Sequence, residues 1–141
     1  MKLIVSLFLL SFFEPFFDAP VESLSVQIND AKSDQGKILV LVFNNEEGFP
    51  DQVERAFKQL VLEPENGQAS FVLEDLAAGK YAITVFHDED DNGKMTTSFA
   101  GLPEEKYGFS NNPKIYFGPP SFEKSAVLVG SENQTIQINL R

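Results

Sequence analysis

The fold of this chain is constrained most by a succession of short apolar segments separated by turn-forming residues. Apolar and polar residues alternate through Leu24–Ile28 and Ala69–Leu73, whereas Ile38–Phe43 is apolar throughout. Alternation with a period of two is typical of a half-buried strand, and a short continuous apolar run is typical of a central one. We therefore expect an all-β chain that forms a single-domain sandwich of about seven strands.

The next strand, Tyr81–His87, also alternates, and we expect Tyr81, Ile83 and Val85 to face the interior. Near the C-terminus, residues 125–129 and 135–140 are predicted to pair as a hairpin. Residues 53–60 have helical spacing and favour a short helix. Residues 59–63 fit a helix or a strand equally well.

The N-terminus has the pattern of an export signal. A positive start at Lys2 is followed by an apolar run from Leu3 to Phe13, which is too short to span a bilayer. We expect residues 1–19 to be a signal peptide and residues 20–141 to be the sandwich domain, located in the periplasm or secreted. The bulky Phe17 fits a cleavage site poorly, so a retained segment of a cytoplasmic protein stays open as an alternative.

Composition excludes several classes of function. The net charge of −10 argues against nucleic acids and anionic membrane surfaces as partners, because phosphate contacts need Lys and Arg. The chain has no Cys and a single His, so it has no thiolate metal site and no multi-histidine zinc site within one chain. No transmembrane span is expected in the mature chain.

A dense acidic segment, residues 87–94, follows the Tyr81–His87 strand. Oxygen-bearing side chains at alternating positions, ended by a glycine, are what a hard cation needs from a short loop. Calcium is therefore the candidate cofactor. Compared with a calcium-binding EF-hand loop, the candidate ligands are Asp88, Asp90 and Asn92, the carbonyl of Lys94, and Thr96 through a water molecule.

The match to an EF-hand is incomplete. Phe99 stands where that loop has a bidentate glutamate, and a strand rather than a helix precedes the segment. A calcium loop between strands would need a distant carboxylate, for which Asp75, Glu104 and Glu105 are the candidates. The alternative is a solvated acidic turn with no ion.

Residues 88–122 show no clean periodicity and are rich in glycine, proline and aromatic residues. We expect one long aromatic-rich loop, which is unusual in a compact domain unless something organises it. Its aromatic side chains either pack as core or, with His87, contribute to a ligand-binding surface. The candidates for that surface are His87, Phe99, Tyr107, Phe109 and Tyr116.

Several motifs resemble known families. Residues 76–83, LAAGKYAI, resemble the turn and strand of transthyretin-like and carboxypeptidase-regulatory-like domains. Residues 81–94, 108–112 and 117–122, together with Gly48-Phe49-Pro50, resemble the signature of the DUF2141 family. This resemblance implies an exported, Ig-like or transthyretin-like β-sandwich, and it implies no activity or catalytic residue.

From these observations we expect an exported, non-catalytic binding or accessory protein whose acidic loop is stabilised by calcium. Its partner would be a small molecule, a glycan or a protein. One alternative is a hydrolase that uses His87 and loop carboxylates, although no serine lies in a nucleophile-elbow context. Another is a structural or adhesive surface module.

Overall fold

The computed structural model describes residues 22–130 and 132–141, so the expected signal peptide lies outside the described residues. The chain is almost entirely β, as expected. A 3-10 turn at Val53–Arg55 and a one-turn helix, α1, at Phe122–Ser125 interrupt the strands. The strands are β1 Glu22–Asn29, β2 Lys37–Phe43, β3 Lys58–Leu62, β4 Ala69–Leu76, β5 Gly79–Asp88, β6 Tyr107–Phe109, β7 Val127–Val129 and β8 Gln134–Asn139.

Two sheets make up the sandwich. One has the order β4-β1-β8, in which β1 is antiparallel to β4 and parallel to β8. The other has the order β3-β2-β5-β6, and β7 also pairs with β5. Strands β6 and β7 lie along the same central strand, opposite Thr84–Phe86 and Gly79–Tyr81 respectively. Among the described residues, no helix is long and apolar enough to cross a membrane.

The inward faces of both sheets form one hydrophobic core. The alternating side chains of β1 and β5 enter it, and Tyr81, Ile83 and Val85 are all buried as expected. The Tyr81 hydroxyl donates a hydrogen bond to the Ala77 carbonyl at 2.9 Å. This bond has the geometry of a tyrosine corner, which ties the start of a sandwich strand to the turn before it.

The expected hairpin at the C-terminus is wrong. Strand β7 pairs with β5 in one sheet, whereas β8 runs parallel to β1 in the other, so the connection between them crosses the sandwich. Residues 59–63, which fitted a helix or a strand equally well, fall mostly in β3, which pairs with β2. The helical spacing of residues 53–60 produces only the 3-10 turn.

The long segment after β5, expected to be one loop, contains regular secondary structure. It contains β6, and it ends at α1. A second apolar cluster fixes its later part on the outer face of the larger sheet, where Phe49 contacts the rings of Phe43, Phe109 and Phe122. Two of the segment's aromatic residues, Phe109 and Phe122, therefore pack as core.

Polar side chains directly after β6 anchor this segment by hydrogen bonds. The buried hydroxyl of Ser110 accepts a hydrogen bond from the Ile83 N–H at 2.8 Å and donates to the Ser125 carbonyl. The amide of Asn112 bonds two main-chain groups of β8, the carbonyl of Gln137 and the N–H of Asn139. These bonds hold the later part of the segment against both sheets, whereas its first part, residues 89–105, follows the end of β5 and contains the acidic loop.

Candidate metal centre

The acidic loop begins where β5 leaves the larger sheet. Asp88 is the last residue of β5 and pairs with Lys37, the first residue of β2. The residue is 1% exposed, although it carries a carboxylate and ends its strand. Burial of a carboxylate is costly unless hydrogen bonds or a cation compensate it.

Three carboxylates converge at this point. One oxygen atom each of Asp88, Asp90 and Glu105 lies within 4.8 Å of the other two. Asp88 and Glu105 are buried, and Asp90 is exposed. Two of the three belong to the predicted ligand set, and the third is one of the three distant carboxylates considered. Asp75 and Glu104 are not part of this group.

Main-chain amides orient the Asp88 carboxylate. The N–H of Asn92 donates to its Oδ1 atom at 3.0 Å, and the N–H of Gly93 donates to its Oδ2 atom at 2.8 Å. The loop therefore turns back over its own first residue. A left-handed backbone at Asp91 and Gly93 makes this tight turn, and at Gly93 the absence of a side chain allows it without strain.

The middle of the loop is held by side-chain contacts. The Asn92 amide donates to Asp90 Oδ2 at 2.7 Å, and its oxygen accepts a hydrogen bond from the Lys94 N–H at 2.7 Å. The Thr96 hydroxyl lies 3.4 Å from the same Asp90 oxygen. All five predicted ligand residues thus belong to one hydrogen-bonded loop.

Glu105 reaches the loop because the chain folds back on itself. The N–H of Glu104 bonds the Thr96 carbonyl, and Thr97 forms a bridge with Pro103. This narrow hairpin brings Glu105 beneath the loop, where it accepts hydrogen bonds from the N–H groups of Glu89 and Thr96 at 3.0 and 2.9 Å. The sequence alone did not distinguish Glu105 from the other two distant carboxylates.

These contacts leave lone pairs of the carboxylates unused. Each ionised carboxylate has about four lone-pair sites, and the amide hydrogen bonds occupy only some of them. The donor atoms are all oxygens, which are the ligands of calcium and magnesium rather than of softer metals. The Thr96 hydroxyl, the Lys94 carbonyl and water would complete the six to eight ligands that calcium takes.

Glu89 points away from this group. Its carboxylate accepts hydrogen bonds from the Lys32 ammonium at 2.7 Å and the Ser33 hydroxyl at 2.8 Å. The hydrogen bond from Lys32, followed by that from Ser33, lowers the pKa of Glu89. The hydrogen bond to Glu89 in turn raises the pKa of Lys32. The pair joins the acidic loop to the turn between β1 and β2.

His87 also contacts the turn between β1 and β2. It is 1% exposed, and its Nδ1 atom accepts a hydrogen bond from the Lys32 N–H at 3.2 Å. Its Nε2 atom lies 2.6 Å from the Gln35 carbonyl. Because Nδ1 accepts a hydrogen bond, Nε2 carries the proton and donates to this carbonyl. Main-chain groups thus engage both ring nitrogens, which is the arrangement of a structural histidine.

The aromatic candidates lie in different environments. Phe109 is buried, and Tyr107 packs on it with ring centres 6.0 Å apart. Phe99 and Tyr116 are exposed and lie on separate loops. Three surface concavities of about 430 to 530 Å³ are lined by turns and strand ends and include none of these rings.

Comparisons with known proteins bear out one of the two motif resemblances. No curated protein and no solved structure matches the chain. A family model described as "uncharacterized protein conserved in bacteria" matches residues 26–137, which is more than half of the chain and includes the whole acidic loop. The chain therefore belongs to the DUF2141 family.

Proposed function

We propose that this protein is an exported, non-catalytic binding or accessory protein whose acidic loop is closed by a bound calcium ion. The observation that carries the proposal is the convergence of Asp88, Asp90 and Glu105, whose carboxylate oxygens lie within 4.8 Å of one another. Three carboxylates this close repel one another without a cation, and a divalent ion relieves that repulsion. Glu105 would contribute from beyond the hairpin, so the ion would link the two ends of residues 88–105.

The chemistry of the loop favours a hard cation such as calcium over softer metals. All its donors are oxygens, and the single His is turned toward the β1–β2 turn. The spacing lacks the bidentate glutamate of a tight site, so we expect a dissociation constant of about 10⁻⁴ to 10⁻³ M. Such an affinity suits a protein outside the cytoplasm, where calcium is plentiful.

Export is supported by the N-terminal pattern of Lys2 followed by the apolar run Leu3–Phe13. In a bacterial host the protein should then be found in the periplasm or the medium, shortened by about 19 residues. Mass spectrometry of the purified protein tests this. An intact Met1 in a cytosolic fraction would refute the export part of the proposal without affecting the calcium part.

A binding role is supported by the hairpin that follows the acidic loop. Its tip presents Phe99, which is fully exposed, and Leu102, which is 65% exposed. Contiguous exposed apolar patches mark interaction sites, and these two side chains lie close in sequence at one tip. We propose that a small molecule, a glycan or a protein is recognised near this tip. The hydrolase alternative is not favoured, because His87 has no ring nitrogen left for a substrate.

A melting experiment with matched variants tests calcium binding. Stabilisation should follow RT ln(1 + [Ca]/Kd), which reaches about 2.7 kcal/mol at 100 times the dissociation constant. The melting temperature of the wild type should rise with calcium and fall back when a chelator is added. Asp88→Ala, Asp90→Asn and Glu105→Gln should each reduce or abolish that response.

The neighbouring carboxylates provide the controls. Glu104→Gln and Asp91→Asn remove exposed charges next to the proposed ligands, and Glu89→Ala removes a carboxylate that points away. All three should keep the calcium response. A wild type that melts identically in millimolar calcium and in chelator would show that the loop is only an acidic turn.

A further inference from the structure

The chain contains two Asn-Gly sequences, Asn66-Gly67 and Asn92-Gly93. The first forms the tight turn between β3 and β4, and the second lies in the acidic loop. An Asn-Gly bond is open to deamidation, because glycine has no side chain to hinder attack by its main-chain nitrogen. Both asparagines are exposed to solvent.

The reaction has two steps. The glycine nitrogen loses its proton and attacks the side-chain carbonyl carbon of the asparagine, which forms a succinimide ring and releases ammonia. Water then opens the ring and leaves aspartate or isoaspartate. The only co-reactant is water, and the first step requires the glycine N–H to give up its proton.

In both places that N–H is held by an aspartate. The N–H of Gly67 donates to Asp34 Oδ1 at 2.7 Å, and the N–H of Gly93 donates to Asp88 Oδ2 at 2.8 Å. Hydrogen bonds to an ionised acceptor are about twice as strong as neutral ones. A carboxylate is far too weak a base to take an amide proton, so the bond stabilises the protonated, unreactive nitrogen. Removal of that proton would place a second negative charge beside the first.

We propose that Asn66 and Asn92 are latent deamidation sites, and that Asp34 and Asp88 suppress the reaction in the folded protein. The two aspartates come from different parts of the chain, 33 residues before Gly67 and five residues before Gly93. The same protection therefore arises twice in unrelated local structures. At Asn66 the protection is independent of calcium, because Asp34 is not one of the proposed calcium ligands.

The two sites are not equally protected. The side-chain amide of Asn92 is fixed at both ends, by Asp90 Oδ2 and by the Lys94 N–H, each at 2.7 Å. Ring closure there must break both contacts as well as the bond from Gly93. Within residues 22–130 and 132–141, the Asn66 side chain makes no comparable hydrogen bond. Asn66 should therefore deamidate first.

Deamidation at Asn92 would change the candidate metal centre. Both products would add a carboxylate to the loop, and isoaspartate would also insert a methylene group into the main chain between the Cα atom of residue 92 and its peptide bond to Gly93. The insertion would shift the N–H groups that orient Asp88. Asn66 lies in a different turn, so its conversion would leave the acidic loop unchanged.

The test is incubation of the purified protein in mildly alkaline buffer, followed by peptide mapping with quantification of isoaspartate. The reference rates come from unfolded peptides cut from the same chain. Both bonds should react more slowly in the folded protein than in the peptides, with Asn66 ahead of Asn92. Asp34→Ala should raise the rate at Asn66 several-fold, while Gln35→Ala, an exposed neighbour, should not.

Asn92 provides an internal control in the Asp34→Ala protein. If that variant loosened the whole fold, both rates would rise, whereas release of the N–H groups of Asn66 and Gly67 from Asp34 raises the rate at Asn66 alone. Asp88→Ala should have the converse effect and accelerate Asn92 only. The proposal is overturned if Asp34→Ala leaves the rate at Asn66 unchanged or lowers it, or if both bonds react as fast in the folded protein as in the peptides.

Discussion

The backbone of Gly36 lies directly against the carbonyl group of Asp88. A Cβ atom at residue 36 would overlap the Asp88 oxygen and lie 2.7 Å from the Cα atom of Glu89. Gly36 also has a φ of +70°, in the left-handed region that favours glycine. This contact packs the β1–β2 turn against the first residues of the acidic loop. Hydrogen bonds of Lys32 to His87 and Glu89 also join the two segments.

Gly36→Ala should therefore destabilise the protein by more than the backbone strain alone. That strain costs about 1–2 kcal/mol for a residue in the left-handed region. The overlap with Asp88 adds to it, because backbone rather than a flexible side chain must move. Chemical denaturation of the two proteins measures the difference.

Gly101→Ala is the matched control. Gly101 has a φ of +77°, but nothing lies within 4 Å of the position of its Cβ atom. Its substitution should cost the strain term and no more. Equal losses for Gly36→Ala and Gly101→Ala would show that the close approach to Asp88 contributes nothing.

Ile83→Ala tests the core. Ile83 lies in the middle of β5 and is fully buried between the two sheets. Truncation of a buried isoleucine to alanine costs about 2–5 kcal/mol, since apolar contacts are lost and a cavity remains. Val72→Ala, at a valine of β4 that is 49% exposed, should cost much less. A loss below about 0.5 kcal/mol for Ile83→Ala would contradict its buried position.

The inward residues of β5 were predictable because alternation is a local signal. Tyr81, Ile83 and Val85 differ from Thr84 and Phe86 in burial within one strand, and a period of two is visible in the sequence. The 3-residue strand β6 was not predictable, because Tyr107–Phe109 is too short to show a period.

Pairings between distant segments were harder to predict than strands. Residues 125–129 and 135–140 are close in sequence, which favours a hairpin, yet their strands belong to different sheets. Nothing in the sequence of β8 indicates a parallel partner more than 100 residues earlier. The same limit applied to the candidate metal centre. Asp88 and Asp90 are two residues apart along the loop, but Glu105 joins them only because main-chain bonds fold Thr96 back on Glu104.

The Lys32–Glu89 contact predicts a pH dependence. Lys32 lowers the pKa of Glu89 below its ordinary value of 4.5, so the stabilisation is present above that value and is lost as the pH falls through the lowered pKa. The pKa of Lys32 is raised above 10.5, so its stabilisation is present below 10.5 and is lost as the pH rises through the raised pKa. The pair therefore stabilises the loop throughout the neutral range.

An NMR titration of the Glu89 carboxyl measures this effect directly. Because the pair is partly exposed and screened by solvent, the pKa of Glu89 is a better readout than the melting temperature. Lys32→Met should raise that pKa toward its ordinary value without reaching it, because the Ser33 hydroxyl still donates to the carboxylate. Lys58→Met, at an exposed lysine of β3, should leave it unchanged. An unchanged Glu89 titration in Lys32→Met would mean that the contact does not persist in solution.

Limited proteolysis gives an independent readout of order in the acidic loop. Trypsin cleaves after lysine, and Lys94 lies in this loop, whereas Lys114 lies in the segment between β6 and α1. Calcium should slow cleavage after Lys94, because an ion shared by Asp88, Asp90 and Glu105 would fix the loop and restrict the local unfolding that a protease needs. Cleavage after Lys114 should proceed at the same rate with calcium or with chelator.

Two variants test whether this effect depends on Glu105. Glu105→Gln should make cleavage after Lys94 insensitive to calcium, and Glu104→Gln should keep the wild-type behaviour. If calcium slows both cuts equally, its effect is not local to the acidic loop. If calcium slows neither cut, the loop is already ordered by its own hydrogen bonds.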